Sequence, residues 1–249
     1  MKRKSLLTIL MTIVMGLISI SSVFAQAGIR AEICAPVYQS TCIDPLQISE
    51  TAGSGFQLGA DYDIHVKNKF YLTPGIYWSY RTALSNSPTA EVSGSESLQE
   101  NFINIPVHAK WKFNIKPEKF GVYIFVGPTL SYALSSCSTI DLSVSGVSVD
   151  GKYDYLSGDC EFQFPGVDAS TSAYLNNALQ QEYDALGIRH NPFEARCDWG
   201  VGLVFKEIYE LVLIGYDFGL NNKYKGAYSD KYILSCNNYY IGFRYRFGK

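Results

Sequence analysis

The sequence is short of charge, short of histidine and without a recognisable catalytic signature. Charged residues are 18% of its 249 positions, against the roughly 25% usual in soluble domains. The formal net charge is −2, so the basic field that nucleic acid requires is missing and no nucleic-acid partner is expected. His65, His108 and His190 are the only histidines. No Cys-x-x-Cys and no Cys/His spacing suggests zinc, and no metal or cofactor is expected. No serine or cysteine lies in a nucleophile signature. Beyond the N-terminus, no apolar run is long enough to cross a membrane as a helix. If the mature chain lies in a membrane, it must cross as a closed barrel.

What the sequence does have favours β structure. Aromatics make up 14% of it, with 19 tyrosines and 21 glycines, a composition that suits strands better than helices. The N-terminus starts with Lys2, Arg3 and Lys4. An apolar run over Leu6–Phe24 follows, then Val23-Phe24-Ala25. That is the pattern of a secretory signal peptide, residues 1–25, cut before Gln26. An uncleaved anchor is the rival reading. No cysteine follows the cut, so lipid attachment there is not expected.

Residues 26–249 read as one domain of alternating strands. The clearest is Gly55–Val66. There Phe56, Leu58, Ala60, Tyr62, Ile64 and Val66 share one face, and Asp61, Asp63 and His65 share the other. Seven more strands sort the same way: 27–35, 70–81, 101–114, 120–131, 195–205, 209–220 and 239–247. The connections alternate, long after strands 1, 3, 5 and 7 and short after 2, 4 and 6. The longest, 135–194, holds a helical pattern over Ser172–Leu186, with Ser170 or Ser172 as its cap and Gly187 at its end.

Alternation alone fits either a soluble barrel with a greasy core or a membrane barrel with a polar one. Three features favour the membrane. The uncharged faces carry aromatics near their ends, including Phe70, Tyr80, Trp111, Trp199 and Phe247. The polar faces are rich in glycine. The short turns lie at one rim and the long loops at the other. The expected fold is an all-β, eight-stranded antiparallel transmembrane β-barrel with one short helix in a long extracellular loop. The expected location is the outer membrane, with lipid as the surrounding partner.

Gly242-x-x-Tyr245-x-Phe247 resembles the C-terminal signal read by the outer-membrane insertion machinery, although Gly248 and Lys249 follow it. The run Phe102–Trp111 (FINIPVHAKW), the pair Gly127-Pro128, the segment from Trp199 to Leu203 and the segment from Gly219 to Asn222 resemble the PorT-type outer-membrane β-barrel family of Bacteroidetes. The resemblance covers roughly residues 27 to 247. It implies a barrel without catalytic residues, in a functionally mixed family whose namesake is associated with secretion and gliding.

An eight-stranded barrel is just wide enough for side chains to fill it, so interior charges must pair. Asp61, Asp63 and Asp217 are expected to meet Lys110, Arg244 and Arg246. Cys34, Cys42, Cys137, Cys160, Cys197 and Cys236 form an even set in an exported chain, which suggests disulfides bracing the outer loops. The pairings proposed are Cys34–Cys42, Cys137–Cys160 and Cys197–Cys236. The function expected is structural or surface interaction, linked to secretion or the envelope, with an unknown protein partner bound through 135–194. Two alternatives stay open. One is an enzyme of acyltransferase or protease type using His190 with Ser157, Asp159 or Asp168. The other is a narrow pore.

Overall fold

A computed structural model describes residues 25–43, 46–86, 92–116, 119–144 and 147–247. The expected signal peptide therefore lies outside the described residues up to its last position. In chain order the strands are β1 (Ala25–Cys42), β2 (Gln47–Lys67), β3 (Phe70–Asn86), β4 (Val92–Lys116), β5 (Phe120–Val144), β6 (Val147–Asp154) and β7 (Cys160–Gln163). Helix α1 (Ala169–Leu186) follows, then β8 (Arg189–His190), β9 (Phe193–Phe205), β10 (Tyr209–Gly219), β11 (Tyr224–Lys225), a 3-10 turn (Gly226–Asp230) and β12 (Tyr232–Arg246).

Eight of these strands form an antiparallel ring in the order β4-β3-β2-β1-β12-β10-β9-β5, closed by β4 against β5. The alternation sorts the side chains inside out. Ile29, Leu58, Trp78, Trp111, Ile124, Trp199 and Phe243 face outward and are exposed. Arg30, Asp63, Arg81, Lys110, Arg196 and Arg244 point inward and are buried. A bilayer covers the apolar belt, and the backbone polar groups meet only one another around the closed ring.

Two expectations need correction. The long connections expected after strands 1 and 3 are in large part strand, over 36–42, 47–53, 82–86 and 92–99: β1 pairs with β2 up to Cys42↔Gln47, and β3 pairs with β4 up to Asn86↔Ser95. Above the bilayer each face mixes polar and apolar residues, with Tyr38 and Ala83 turned inward and Ile48 and Leu84 exposed, so the apolar alternation stops although the ladder continues. Strict alternation over 209–220 would put Val212 on one outward face with Ile214, Tyr216 and Phe218, yet it is buried in the lumen. A register shift between Val212 and Ile214 interrupts the β9–β10 ladder, so Glu210 and Val212 point in while Leu211, Leu213 and Ile214 point out. Such bulges reverse the facing of everything beyond them.

The ring has two tiers with different walls. In the bilayer, β9 and β10 complete it. Above the bilayer β9 has ended and β6 and β7 splay outward from β5 as a tongue. There the two-residue strands β8 and β11 fill the gap. His190 N–H donates to Tyr155 O at 2.8 Å, Tyr224 pairs with His190, and Lys223 N–H donates to Leu234 O at 2.8 Å. Helix α1 lies along β7, the edge of the tongue. It is capped by Asp168, whose Oδ1 accepts from the Ser170 and Thr171 amides, both at 3.1 Å. That cap lies two residues before Ser170 and four before Ser172, the two expected, and Gly187, at φ +62°, ends the helix. Asn176 and Gln180, one turn apart on α1, accept from the Phe162 and Cys160 amides at 2.9 Å each. The edge is thereby covered rather than left open to another strand.

Candidate functional site

Among the described residues the lumen holds a lower and an upper layer of ion pairs, with Arg30 bridging to Glu32 at 3.2 Å and Asp61 at 3.3 Å between them. The lower layer lies within the bilayer. Asp63 on β2 and Glu210 on β10 stand on opposite sides and share the same cations. Lys110 reaches Asp63 at 3.1 Å and Glu210 at 3.0 Å; Lys112 reaches them at 2.7 and 2.8 Å. Arg244 meets Asp63 at 3.1 Å and Glu210 at 3.0 Å, and also forks onto Asp61. Arg246 closes the layer from 3.4 Å at Asp63 and 3.6 Å at Glu210. Thr73 and Tyr77 donate to Asp63 and Asp61, both at 2.7 Å. Glycine makes the crowding possible: a Cβ on Gly242 would sit 2.5 Å from Glu32 Cγ.

Five of the six residues expected to form the network, Asp61, Asp63, Lys110, Arg244 and Arg246, are therefore brought together. Asp217 is not. It stands higher, opposite Asp198 in the β9–β10 register, where it pairs with Arg196 and accepts from Asn238 at 3.2 Å. Lys112 and Glu210 complete the lower layer. Glu210 was missed because it precedes the bulge; a single glutamate on a face that otherwise carries Val212, Ile214, Tyr216 and Phe218 was the available signal.

The upper layer lies at the outer mouth. Glu100 is fully buried and accepts from Tyr38 at 2.7 Å and from Ser136 at 2.9 Å. Lys223 descends from the loop before β11 to Glu100, at 2.9 and 3.1 Å, and to Glu194. Arg196 meets Glu194 at 2.8 Å and Arg81 approaches it at 3.7 Å. Burial pushes the Glu100 carboxyl up, but Lys223, His190 and Tyr38 hold it well below the usual carboxylate range. Burial works against the Lys223 ammonium too, yet Glu100 and Glu194 hold its pKa above the ordinary lysine value. Glu100, Glu194 and Lys223 lay in or beside stretches read as loop. Glu100 and Glu194 do continue the inward parity of Phe102 and Arg196.

Between the layers lies a cavity of about 10 Å³, walled by Arg30, Tyr77, Arg81, Asn104, His108 and Arg196 among others. That is about the room one water needs. His108 sits there 2.8 Å from Asp198. Among the described residues, packed side chains thus occupy the lumen at both layers, with this small cavity between them.

His190 does not stand as a general base beside a reachable nucleophile. It is buried, stacked on Tyr155 at 4.1 Å and 6°. Its Nδ1 is 2.9 Å from Ser136 Oγ and 3.6 Å from Glu100. Serine and acid thus crowd one ring nitrogen, whereas a catalytic relay uses both. Burial also lowers the His190 pKa, with Glu100 opposing and Lys223 assisting. Asp168 is occupied as the α1 cap. Ser157 Oγ accepts from the Asp159 amide at 3.2 Å.

The proposed cysteine pairs are not brought together either. Cys34 and Cys42 are eight residues apart on one strand, so about 26 Å. Cys137 and Cys160 are separated by β6, and Cys197 and Cys236 by β10. Two strand spacings are about 9.6 Å, beyond the reach of a disulfide. Cys34, Cys137, Cys160, Cys197 and Cys236 carry free thiols. Gly242, Tyr245 and Phe247 lie at the end of β12 and just past it; Gly242 faces inward and Phe247 is exposed. Gly248 and Lys249 lie outside the described residues.

A sequence profile described as "Outer membrane protein beta-barrel domain" matches residues 44–225. No characterised protein matches the chain by sequence. Several solved outer-membrane structures are similar at low identity. Neisserial surface protein A is 12% identical with TM-score 0.38, covering 88% of this chain and 97% of its own. OprG from Pseudomonas aeruginosa is 11% identical with TM-score 0.36, covering 91% and 98%. Ail of Yersinia pestis is 12% identical with TM-score 0.34, covering 89% and 99%.

Proposed function

The chain belongs to the outer membrane protein β-barrel domain family and resides in the outer membrane, and we propose that it is a non-conducting, non-enzymatic member that acts through its extracellular tongue. The lumen carries this reading. Among the described residues, two ion-pair layers and a cavity for about one water occupy the lumen, which speaks against a pore. The geometry at His190 speaks against catalysis. What remains accessible is the surface built by 135–194, where β6, β7 and α1 stand clear of the barrel. That segment is the proposed contact for a protein partner.

Within the family, the Phe102–Trp111 strand and the Gly127-Pro128 pair support a PorT-type assignment. With it comes a role linked to secretion or to the cell envelope. Gly242, Tyr245 and Phe247 are the proposed insertion signal.

Planar-bilayer recording tests the closed lumen. The refolded chain is expected to give no single-channel steps; stable conductance would return the pore reading. Replacing 145–190 with a short linker separates the surface role from the barrel. Heat-modifiable migration should survive and partner capture should be lost.

A further inference from the structure

We infer that the short-turn rim is a phosphate-binding collar for anionic glycerophospholipid headgroups in the inner leaflet of the outer membrane. The inference goes beyond the proposed function and rests only on the sidedness of the barrel.

The three short turns carry Lys67 and Lys69, Lys116 and Lys119, and Lys206, against two acids, Glu118 and Glu207. All five lysines are exposed. The other end of the molecule has the opposite sign: residues 135–193 contain eight acidic side chains and two basic ones. The charge is therefore sorted along the barrel axis although the whole chain is nearly neutral.

The lysines stand at the depth where phosphates lie. Next to them runs a girdle of outward rings. Phe70 packs on Trp111 at 4.6 Å, Phe120 on Phe205 at 5.4 Å and Tyr209 on Tyr245 at 5.6 Å. Such girdles mark the membrane–water interface, and the turns are the next polar step beyond it. Lys69 Nζ lies 5.6 Å over the Phe113 ring, which holds that ammonium at the girdle. Neighbouring turns are laced by Lys112 N–H to Lys69 O at 2.9 Å and Lys206 N–H to Lys119 O at 3.0 Å. The collar is thus fixed on the rim rather than scattered over mobile loops.

The backbone supplies an independent observation. Lys206 and Glu207 both adopt the left-handed region, at φ 52° and 58°. A hairpin turn with that geometry favours Asn-Gly. A lysine kept where the backbone disfavours it points to a use for its charge.

The test uses the full chain refolded into phosphatidylcholine vesicles with a trace of spin-labelled phosphatidylglycerol or spin-labelled phosphatidylcholine. The boundary signal of each label reports its association with the protein. The wild type is expected to favour phosphatidylglycerol by about fivefold at low salt, since each lysine near an anionic surface adds attraction. The K67Q/K69Q/K116Q/K119Q/K206Q variant should bring the ratio near one, and arginine at the same positions should retain it. Equal association in the wild type, or a preference that survives the glutamines, overturns the inference. Heat-modifiable migration reports whether each variant has folded. If the glutamine variant does not fold, wild type at about 1 M salt decides instead, because screening there is nearly complete. Loss of the preference supports the collar, and its persistence overturns it.

Discussion

Glu210 is buried among four cations, Lys110, Lys112, Arg244 and Arg246. Asp217 is partly exposed and leans on one, Arg196. The two acids should respond differently to loss of charge. Glu210→Gln leaves buried cations uncompensated, which costs about 3–5 kcal/mol. Asp217→Asn keeps a hydrogen-bonding side chain at a wetter site and should cost about 1 kcal/mol. Urea unfolding in detergent micelles, followed by tryptophan fluorescence, would show this order; equal midpoints for the two variants would contradict it. The contrast also marks what sequence could and could not give at this scale. That Asp61, Asp63, Lys110, Arg244 and Arg246 face inward follows from parity within clean strands. Which partner each one meets depends on strand stagger and on the bulge after Val212, and neither is written in a run as uniformly apolar as Leu211 to Ile214.

At the scale of elements, the β9–β10 turn holds the clearest strain. Lys206 and Glu207 sit in the left-handed region, at roughly 1–2 kcal/mol per non-glycine residue. Replacing the pair with Asn-Gly should stabilise the barrel by about 1–2 kcal/mol, measured as a raised temperature for loss of the compact band on a gel. The same change should weaken the phosphatidylglycerol preference, so stability and lipid selection would move in opposite directions. Eight strands were legible because a bilayer imposes a sharp contrast between their faces. The extensions of β1–β4 were not, because Gln39, Ser40 and Thr41 meet water or polar neighbours on either side. The strands β8 and β11 are two residues each and have no period to read. The helix was legible from its spacing, but its true cap, Asp168, is a local choice among several capping residues.

At the scale of the whole molecule, the outer tier is closed by loops rather than by barrel strands, and His190 sits in that closure. Facing it are Glu100 from β4, Ser136 from β5, Tyr155 after β6, and Lys223 and Tyr224 at β11. Its pKa is depressed in the folded protein, chiefly by burial, so the unfolded or opened form binds a proton more readily. The stabilisation it allows is complete above about pH 6.5 and declines as pH falls below that value. Lowering pH from about 7.5 to about 5 should therefore reduce the protection factors at His190 and Tyr224, taken relative to the intrinsic exchange rate at each pH, before the bilayer tier responds. His190→Gln should flatten that dependence. Mass-spectrometric hydrogen exchange on the two segments would check it; an equal loss of protection throughout the barrel would count against a local opening.

The lower ion-pair layer also spans the closing seam of the ring. Arg244 meets Asp61 across 183 residues of chain, and Arg246 comes from the same strand, β12. A ring left open between β1 and β12 would leave Asp61 and Asp63 without two of their counter-charges, and unpaired acids are costly in the membrane's apolar interior. Pairing of β1 with β12 removes that penalty, so the seam couples completion of the ring to neutralisation of its interior.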